Sequence, residues 1–313
     1  MKNRIRLIAA LAALGFAQWA VAYAGAGTSA GGTLLRPVGA RAPGMAEAYT
    51  TSSDDAFGIF YNPAEPIYRY QVAAFYQNGL VDDSYTGLAI GVPLPVGRMG
   101  FAALRYSAGD ITLRSTTGET RTVNAQRDTL YALSFALENN GLWAGGNAKV
   151  FNSKVVEEVS DSVILFDAGV RGAFFERLVL AAAVQNMGSN IKYSRTVEKL
   201  PRMARGGIAY TFLFRNETQS LKAALDLVKQ LDGGVMTQHL GFEYSPLASY
   251  AIRAGYKFGY DYNDGTNGNV NFGLGWEGKK LSFDYAFTPF GELGSLHKLS
   301  MAWRFEGNLA LDD

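Results

Sequence analysis

From Arg69 to Phe305 the chain is a series of segments in which apolar bulk recurs at every second position, and that regularity removes most folds from consideration. A period of two is a strand with two unlike faces, because successive Cβ atoms point to opposite sides of a pleated chain. Tyr131, Leu133, Phe135 and Leu137 alternate with Ala132, Ser134 and Ala136. Val270, Phe272, Leu274 and Trp276 alternate with Asn271, Gly273 and Gly275, and Leu281, Phe283, Tyr285 and Phe287 with Ser282 and Asp284. One face is large and greasy, the other small or polar. A soluble sandwich or propeller also alternates, but there the apolar face points into a core and the outward face is rich in Lys, Glu and Thr. Here the minor face is mostly Gly, Ala and Ser with isolated charges, and charged residues make up only 18% of the chain. This pattern predicts an all-β chain whose bulky side meets lipid, a transmembrane antiparallel β-barrel.

Counting the alternating segments gives about fourteen strands, the even number expected of such a barrel, although the alternation is faint over 144–151 and 181–183. The connections alternate as well. N-G-L-V-D-D precedes the tighter P-L-P-V-G-R, then comes the long G-D-I-T-L-R-S-T-T-G-E-T-R-T-V-N, then E-N-N-G. Further on, the long N-M-G-S-N-I-K-Y-S-R-T-V-E-K-L-P-R follows F-E-R, and Y-D-Y-N-D-G-T-N-G-N precedes E-G-K-K. Long outer loops and short periplasmic turns distinguish the two ends of a membrane barrel. An even strand count with the first connection outward puts both ends of the barrel's chain in the periplasm.

The 36 Gly need a reason, since Gly weakens a strand unless another surface approaches it closely. Together with 17 Tyr and 19 Phe they make a barrel-like composition. There is no Cys, which excludes disulfides and lipid attachment through an N-terminal Cys. The net charge of +1 gives no ground for a nucleic-acid partner.

The chain opens M-K-N-R-I-R, then runs apolar from Leu7 to Ala17 and reaches small-x-small at Ala22-Tyr23-Ala24. This reads as a signal peptide, residues 1–24, cleaved near Ala24 for Sec export to the bacterial outer membrane. Its apolar run is too short for a helix of about 20 apolar residues. Residues 25–66 do not alternate and are rich in small side chains, so their expected place is the lumen, as a hatch ahead of a barrel at 67–305 and a periplasmic tail at 306–313. Within the hatch, Ser53 or Asp54 is positioned to cap a helical turn that Pro63 ends.

The run V-G-A-R-A-P-G-M-A-E-A-Y, with D-D-A and Y-N-P-A after it, resembles the N-terminal region of the PorV/PorQ group, relatives of the FadL long-chain fatty-acid channel. F-D-A-G-V-R, V-Q-N-M-G, L-P-R-M-A-R-G-G-I-A-Y, G-F-E-Y, A-I-R-A-G-Y, F-D-Y-A-F and G-S-L-H-K-L-S extend the resemblance, in order, across the mature chain. It implies a FadL-like barrel of fourteen strands with a lumenal hatch, in agreement with the count. Two departures stand out. Glu65 occupies the place where the fatty-acid channels usually have Gly after N-P-A, and the outer loops are too short for those channels' ligand-capturing structures.

The candidate gate comprises Asp54, Asp55, Asn62 and Pro63. Strand parity places Asp167, Arg171, Asp226, His239, Glu243, Arg253, Lys257 and Asp284 inside as a lumenal polar network, because a basic side chain on the lipid face costs about 2–4 kcal/mol near the midplane. That network either holds the hatch rigid or lines a solute path. Catalysis has little to work with: His239 and His297 are the only histidines, with Glu243 on the same face as His239 and His297 near the outer rim. No catalytic, cofactor or metal site is expected, since the chain lacks Cys and any H-x-x-x-H, and the 261–269 loop lacks calcium-loop spacing. Trp303 and Phe305 resemble the C-terminal aromatic signal of barrel assembly, although eight residues follow Phe305.

Three readings of function follow. The resemblance implies service to protein secretion or surface export, or membership of an outer-membrane complex, and the short outer loops favour this first reading. The alternative is passive passage of small hydrophobic molecules such as fatty acids, past the hatch near Asn62-Pro63 and out sideways at a strand kink. The third is a structural barrel anchoring partner proteins. Expected partners are outer-membrane lipid and the barrel assembly machinery, with secretion components or hydrophobic small molecules according to the reading.

Overall fold

The computed structural model describes residues 30–52, 54–80, 82–156, 159–175, 177–193, 196–214, 218–234, 236–259 and 268–305. The expected signal peptide at 1–24, the first residues of the expected hatch, 25–29, and the expected tail at 306–313 lie outside them. Strands run in chain order as Tyr70–Asn78 (β1), Ser84–Leu94 (β2), Gly97–Ser107 (β3), Asp110–Arg114 (β4), Thr120–Asn124 (β5) and Gln126–Asn139 (β6). Next come Leu142–Val155 (β7), Val159–Phe174 (β8), Leu178–Gly188 (β9), Ile191–Tyr193 (β10), Thr196–Glu198 (β11) and Met203–Phe214 (β12). The last six are Gln219–Gln230 (β13), Met236–Leu247 (β14), Tyr250–Phe258 (β15), Val270–Glu277 (β16), Leu281–Pro289 (β17) and Ser295–Phe305 (β18).

Fourteen of these strands close one antiparallel barrel in the order β1-β18-β17-β16-β15-β14-β13-β12-β9-β8-β7-β6-β3-β2. Each barrel strand pairs with the next barrel strand in sequence, the β4–β5 and β10–β11 hairpins standing between β3 and β6 and between β9 and β12, and the seam joins β1 to β18 in register from Tyr70↔Phe305 to Asn78↔His297. Closure satisfies the backbone of both edge strands, which lipid could not do.

The alternation is realised face by face. In β6, Ala132, Ser134 and Ala136 are buried while Tyr131, Leu133, Phe135 and Leu137 are 44–55% exposed on the outside. The faint segments 144–151 and 181–183 are strand too; small outward residues, Ala144, Gly146 and Ala148 in β7 and Ala182 in β9, blur their period.

The connections differ from the sequence reading in three places. The stretch P-L-P-V-G-R is mostly strand: β2 runs to Leu94, β3 starts at Gly97, and the turn is Pro95-Val96 alone. The polar stretch after β3 is an antiparallel pair of its own, β4 with β5, and the one after β9 holds a second pair, β10 with β11. Polar Thr-rich sequence with a Gly at its centre suits a hairpin as well as a loop. Pairing slips twice, between Phe166 and Ala168 against β9 and between Tyr244 and Leu247 against β15.

Residues 30–66 lie inside the barrel. They make two 3-10 turns, Gly32–Leu35 and Gly58–Phe60, and one helical turn, Arg41–Gly44, packed on β16 and β17. Met45, Ala46, Ala48 and Ala64 have no exposed surface. Of the two expected caps, Ser53 lies outside the described residues and Asp54 makes no capping hydrogen bond to Gly58–Phe60; instead Asp55 Oδ1 accepts the Phe57 N–H at 2.8 Å, an Asx turn that leads into it.

Candidate functional site: the lumenal gate

Backbone meets backbone where the segment touches the wall, and the inward glycines are the reason it can. A Cβ at Gly145 would stand 2.2 Å from the Pro63 carbonyl oxygen, and one at Gly169 would stand 2.0 Å from Asn62 Oδ1. At Gly241 and Gly255 an added Cβ would fall 2.5 Å from Met45 backbone atoms. The small face of β7, β8, β14 and β15 is therefore a mould for residues 45 and 62–63.

Polar groups fix the same segment at its corners. Asn62, wholly buried, donates from Nδ2 to the carbonyls of Thr50 and Val170 at 3.2 Å each, and its Oδ1 accepts the Ala64 N–H at 2.9 Å. The Pro63 carbonyl accepts from Arg98 Nη2, while Arg98 Nε donates to the Glu65 carbonyl at 2.6 Å and Nη1 to Ser134 Oγ at 2.7 Å. Asp54 pairs with Arg41, and Asp55 Oδ2 accepts from Tyr49 Oη at 2.6 Å. Burial pushes the Asp54 carboxyl up, but Arg41 and then Lys222 outweigh it and hold the group below the usual range. For Asp55 burial wins and its carboxyl is raised.

The eight inward charges read from the sequence all face the lumen, distributed over separate clusters. Glu243 accepts from Arg41 Nε and Nη2 at 3.0 Å each and from Arg253 Nε at 2.6 Å, and Arg253 Nη1 donates to Asp284 at 2.7 Å. Asp226 Oδ2 accepts the backbone N–H groups of Tyr49 and Thr50 at 2.9 and 2.8 Å and the Thr50 hydroxyl at 2.6 Å. Asp167 pairs with Lys149 at 2.6 Å and accepts from Asn147 and the Asn186 N–H, and Asn147 also donates to the Ile59 carbonyl at 2.9 Å. Arg171 lies 3.3 Å from Glu65, and Lys257 pairs with Glu47. Arg171, Asp226, Glu243 and Lys257 bind the N-terminal segment directly.

Arg41, Glu47, Glu65, Arg98, Lys149, Arg205 and Lys298 complete the site and are not among the inward charges expected from sequence, although parity puts Arg205 with Gly207 and Lys298 with Ser300 on the small face. Arg98 sat in an apparent turn, and the hatch residues sit outside any alternation. Lys298 donates to the Pro37 carbonyl and lies 5.2 Å from the Phe75 ring centroid and 5.3 Å from that of Tyr85, a cation held by aromatic faces. Ala46 and Glu47 both adopt positive φ, 52° and 62°, a left-handed conformation costly for non-glycine residues. That turn delivers the Glu47 carboxylate to Lys257 and to Arg205, 3.6 Å away. Burial alone would raise the Glu47 carboxyl; Lys257, His239 and Arg205 overcome it and bring it down to about 2.

Each histidine meets a hydroxyl group. His239 Nε2 lies 3.0 Å from Thr237 Oγ1, and the carboxylate of Glu243 is taken by Arg41 and Arg253. His297 is outside at the outer rim, with Tyr285 Oη 2.7 Å from Nδ1 and Ser295 Oγ 3.2 Å from Nε2. Among the described residues no group of three or more His, Asp or Glu side chains is arranged to hold a metal ion.

A cavity of about 30 Å³ lies on the outer side of the segment, among Arg36, Tyr85, Leu130, Met203 and Arg205. One of about 80 Å³ lies on the inner side, among Arg41, Glu243, Arg253, Asp284 and Arg304. Small-molecule pockets measure about 300–1,000 Å³, so these two spaces are gaps beside a docked plug.

No protein-family model and no curated protein matches this chain. Solved structures do. The Pseudomonas putida toluene transporter TodX is similar with a TM-score of 0.57 and 11% identity, covering 86% of this chain and 98% of that one. The CymD monoaromatic hydrocarbon channel and a FadL homologue of Pseudomonas aeruginosa each match with a TM-score of 0.55 and 12% identity over the same shares. At these identities the similarity establishes the fold, a FadL-like fourteen-stranded barrel.

Proposed function

We propose that this chain is a passive outer-membrane channel for small hydrophobic molecules, with residues 30–66 as its gate. The observation that carries the reading is the way the plug is held: by side-chain hydrogen bonds, ion pairs and close contact with inward glycines, with no strand pairing between plug and wall among the described residues. Such contacts can be exchanged for water without breaking the barrel. The shared fold with proteins described as hydrocarbon channels and as a FadL homologue supports the same reading. The secretion reading drew on the sequence resemblance and finds no support in these neighbours.

Gating centres on the Asn62–Pro63 corner. Asn62 holds Val170 on β8, Asn147 holds Ile59, and the slip in β8–β9 pairing lies next to both, where Asp167 stands opposite Gln185 and Asn186. A bulge weakens a ladder locally and bends its strand, so undocking this corner opens space against the most yielding part of that wall. Removing residues 25–66 and measuring single-channel conductance together with uptake of a hydrophobic dye into liposomes tests the proposal. Both should rise; an unchanged value of each refutes it.

A further inference from the structure

On the opposite wall the barrel is indented from outside. A groove of about 930 Å³ crosses β14 to β18 and β1, starting at the short-turn end beside Leu247 and Tyr250 and reaching mid-height at Tyr76 and Leu299. Its rim side chains are lipid-facing and bulky; Leu247, Ile252, Leu274 and Leu299 are each more than half exposed. Small residues, Ala74, Ala251 and Gly275, make the floor. Pro246, which brings no N–H to the ladder, sits at the pairing slip that frames the groove's lower end.

The groove opens beside a cationic turn. Gly278, Lys279 and Lys280 join β16 to β17, and both lysines are exposed. The adjacent short turn, Ala248-Ser249, is uncharged, as are Pro95-Val96 and Asn140-Gly141 further round the ring, whereas the β8–β9 turn carries one acid and one base, Glu176 and Arg177. The acidic residue nearest the lysines in the turn, Glu277, is occupied by Arg304, and Glu277 N–H donates to the Ser249 carbonyl at 2.8 Å, tying the two turns that flank the mouth. Trp276 stacks on Phe283 with centroids 5.8 Å apart at the same level, where aromatic side chains meet headgroups.

We propose that this groove is a binding site for one anionic diacyl phospholipid of the periplasmic leaflet, its acyl chains along Leu274, Phe283 and Met301 and its phosphate at Lys279 and Lys280. An apolar trough of this volume accepts chains, and a pair of lysines at the headgroup level selects a negative head. The test is native mass spectrometry of the full barrel, delipidated in detergent and offered phosphatidylglycerol or phosphatidylcholine of identical chains. Wild type should retain one lipid and prefer phosphatidylglycerol. Lys279→Ala/Lys280→Ala should lower that preference by up to about thirtyfold, the order expected of two lysines at an anionic surface. Ala74→Phe, which fills the floor from the lipid side, should abolish stoichiometric retention while leaving heat-modifiability intact. Equal retention by wild type and Ala74→Phe, or an unchanged preference in the lysine variant, overturns the proposal.

Discussion

Glu65 Oε2 lies 3.3 Å from Arg171 Nε, yet neither oxygen of that buried carboxyl accepts a hydrogen bond. Burial pushes the Glu65 carboxyl well above its usual range, and Arg171 offsets this only in part. A raised carboxyl binds its proton more tightly in the docked state, so docking is fully supported below the ordinary carboxylate range and loses support as pH rises through the shifted value. Hydrogen exchange of the 58–66 amides should show protection falling with pH in wild type and staying flat in Glu65→Gln. Parallel curves for the two proteins would remove Glu65 from the latch.

Glu47 has the opposite sign. Its carboxyl is lowered to about 2, so the stability it gives is present above the ordinary carboxylate value and is lost as pH falls towards about 2. Replacing one partner of a buried pair leaves the others uncompensated, at a cost of about 3–5 kcal/mol. Glu47→Gln should free the segment for limited proteolysis at neutral pH, while wild type becomes cleavable only in acid. A neutral-pH digest identical to wild type would contradict this.

Gly145 and Gly169 test the mould. Gly145→Val places side-chain atoms into the Pro63 carbonyl, which lies 2.2 Å from the ideal Cβ, and overpacking of this kind costs about 1–3 kcal/mol. Because the tightest clash is with the plug, at 2.2 Å against 2.9 Å for Ala136 Cβ of the wall, the barrel should still run as a folded band while cysteine labelling at an introduced residue 64 increases. Loss of the folded band would show that this glycine serves the wall.

The seam carries the assembly prediction. Phe305 stacks on Tyr70 across it with centroids 5.5 Å apart, and Trp303 packs 5.3 Å from Phe305. Phe305→Ala should lower the amount of assembled barrel more than deletion of residues 306–313, as read by heat-modifiability. The reverse order would place the end of the barrel wrongly.

The alternation made strand number and strand facing legible from sequence, since lipid outside and a tight plug inside impose unlike demands on neighbouring positions. Inward charges such as Asp226 and Glu243 were legible as inward for the same reason. Their partners were not: Asp226 binds backbone N–H groups of Tyr49 and Thr50, and backbone has no signature in composition. Glu65 was visible as a departure from its motif, but its meeting with Arg171 joins residues far apart in sequence and only the folded chain could show it. The hairpins β4–β5 and β10–β11 stayed hidden because polar, Thr-containing stretches read equally well as loop.

The plug precedes β1, and β1 is zipped to β18, the final strand of the barrel. The seam that closes the ring is thus the one beside the plug's own tether. Gly145, Gly169, Gly241 and Gly255 receive the segment from two parts of the wall, so the docked plug is held from both sides. A plug that undocks stays leashed to the closing seam, free to shift in the lumen and return to the same mould.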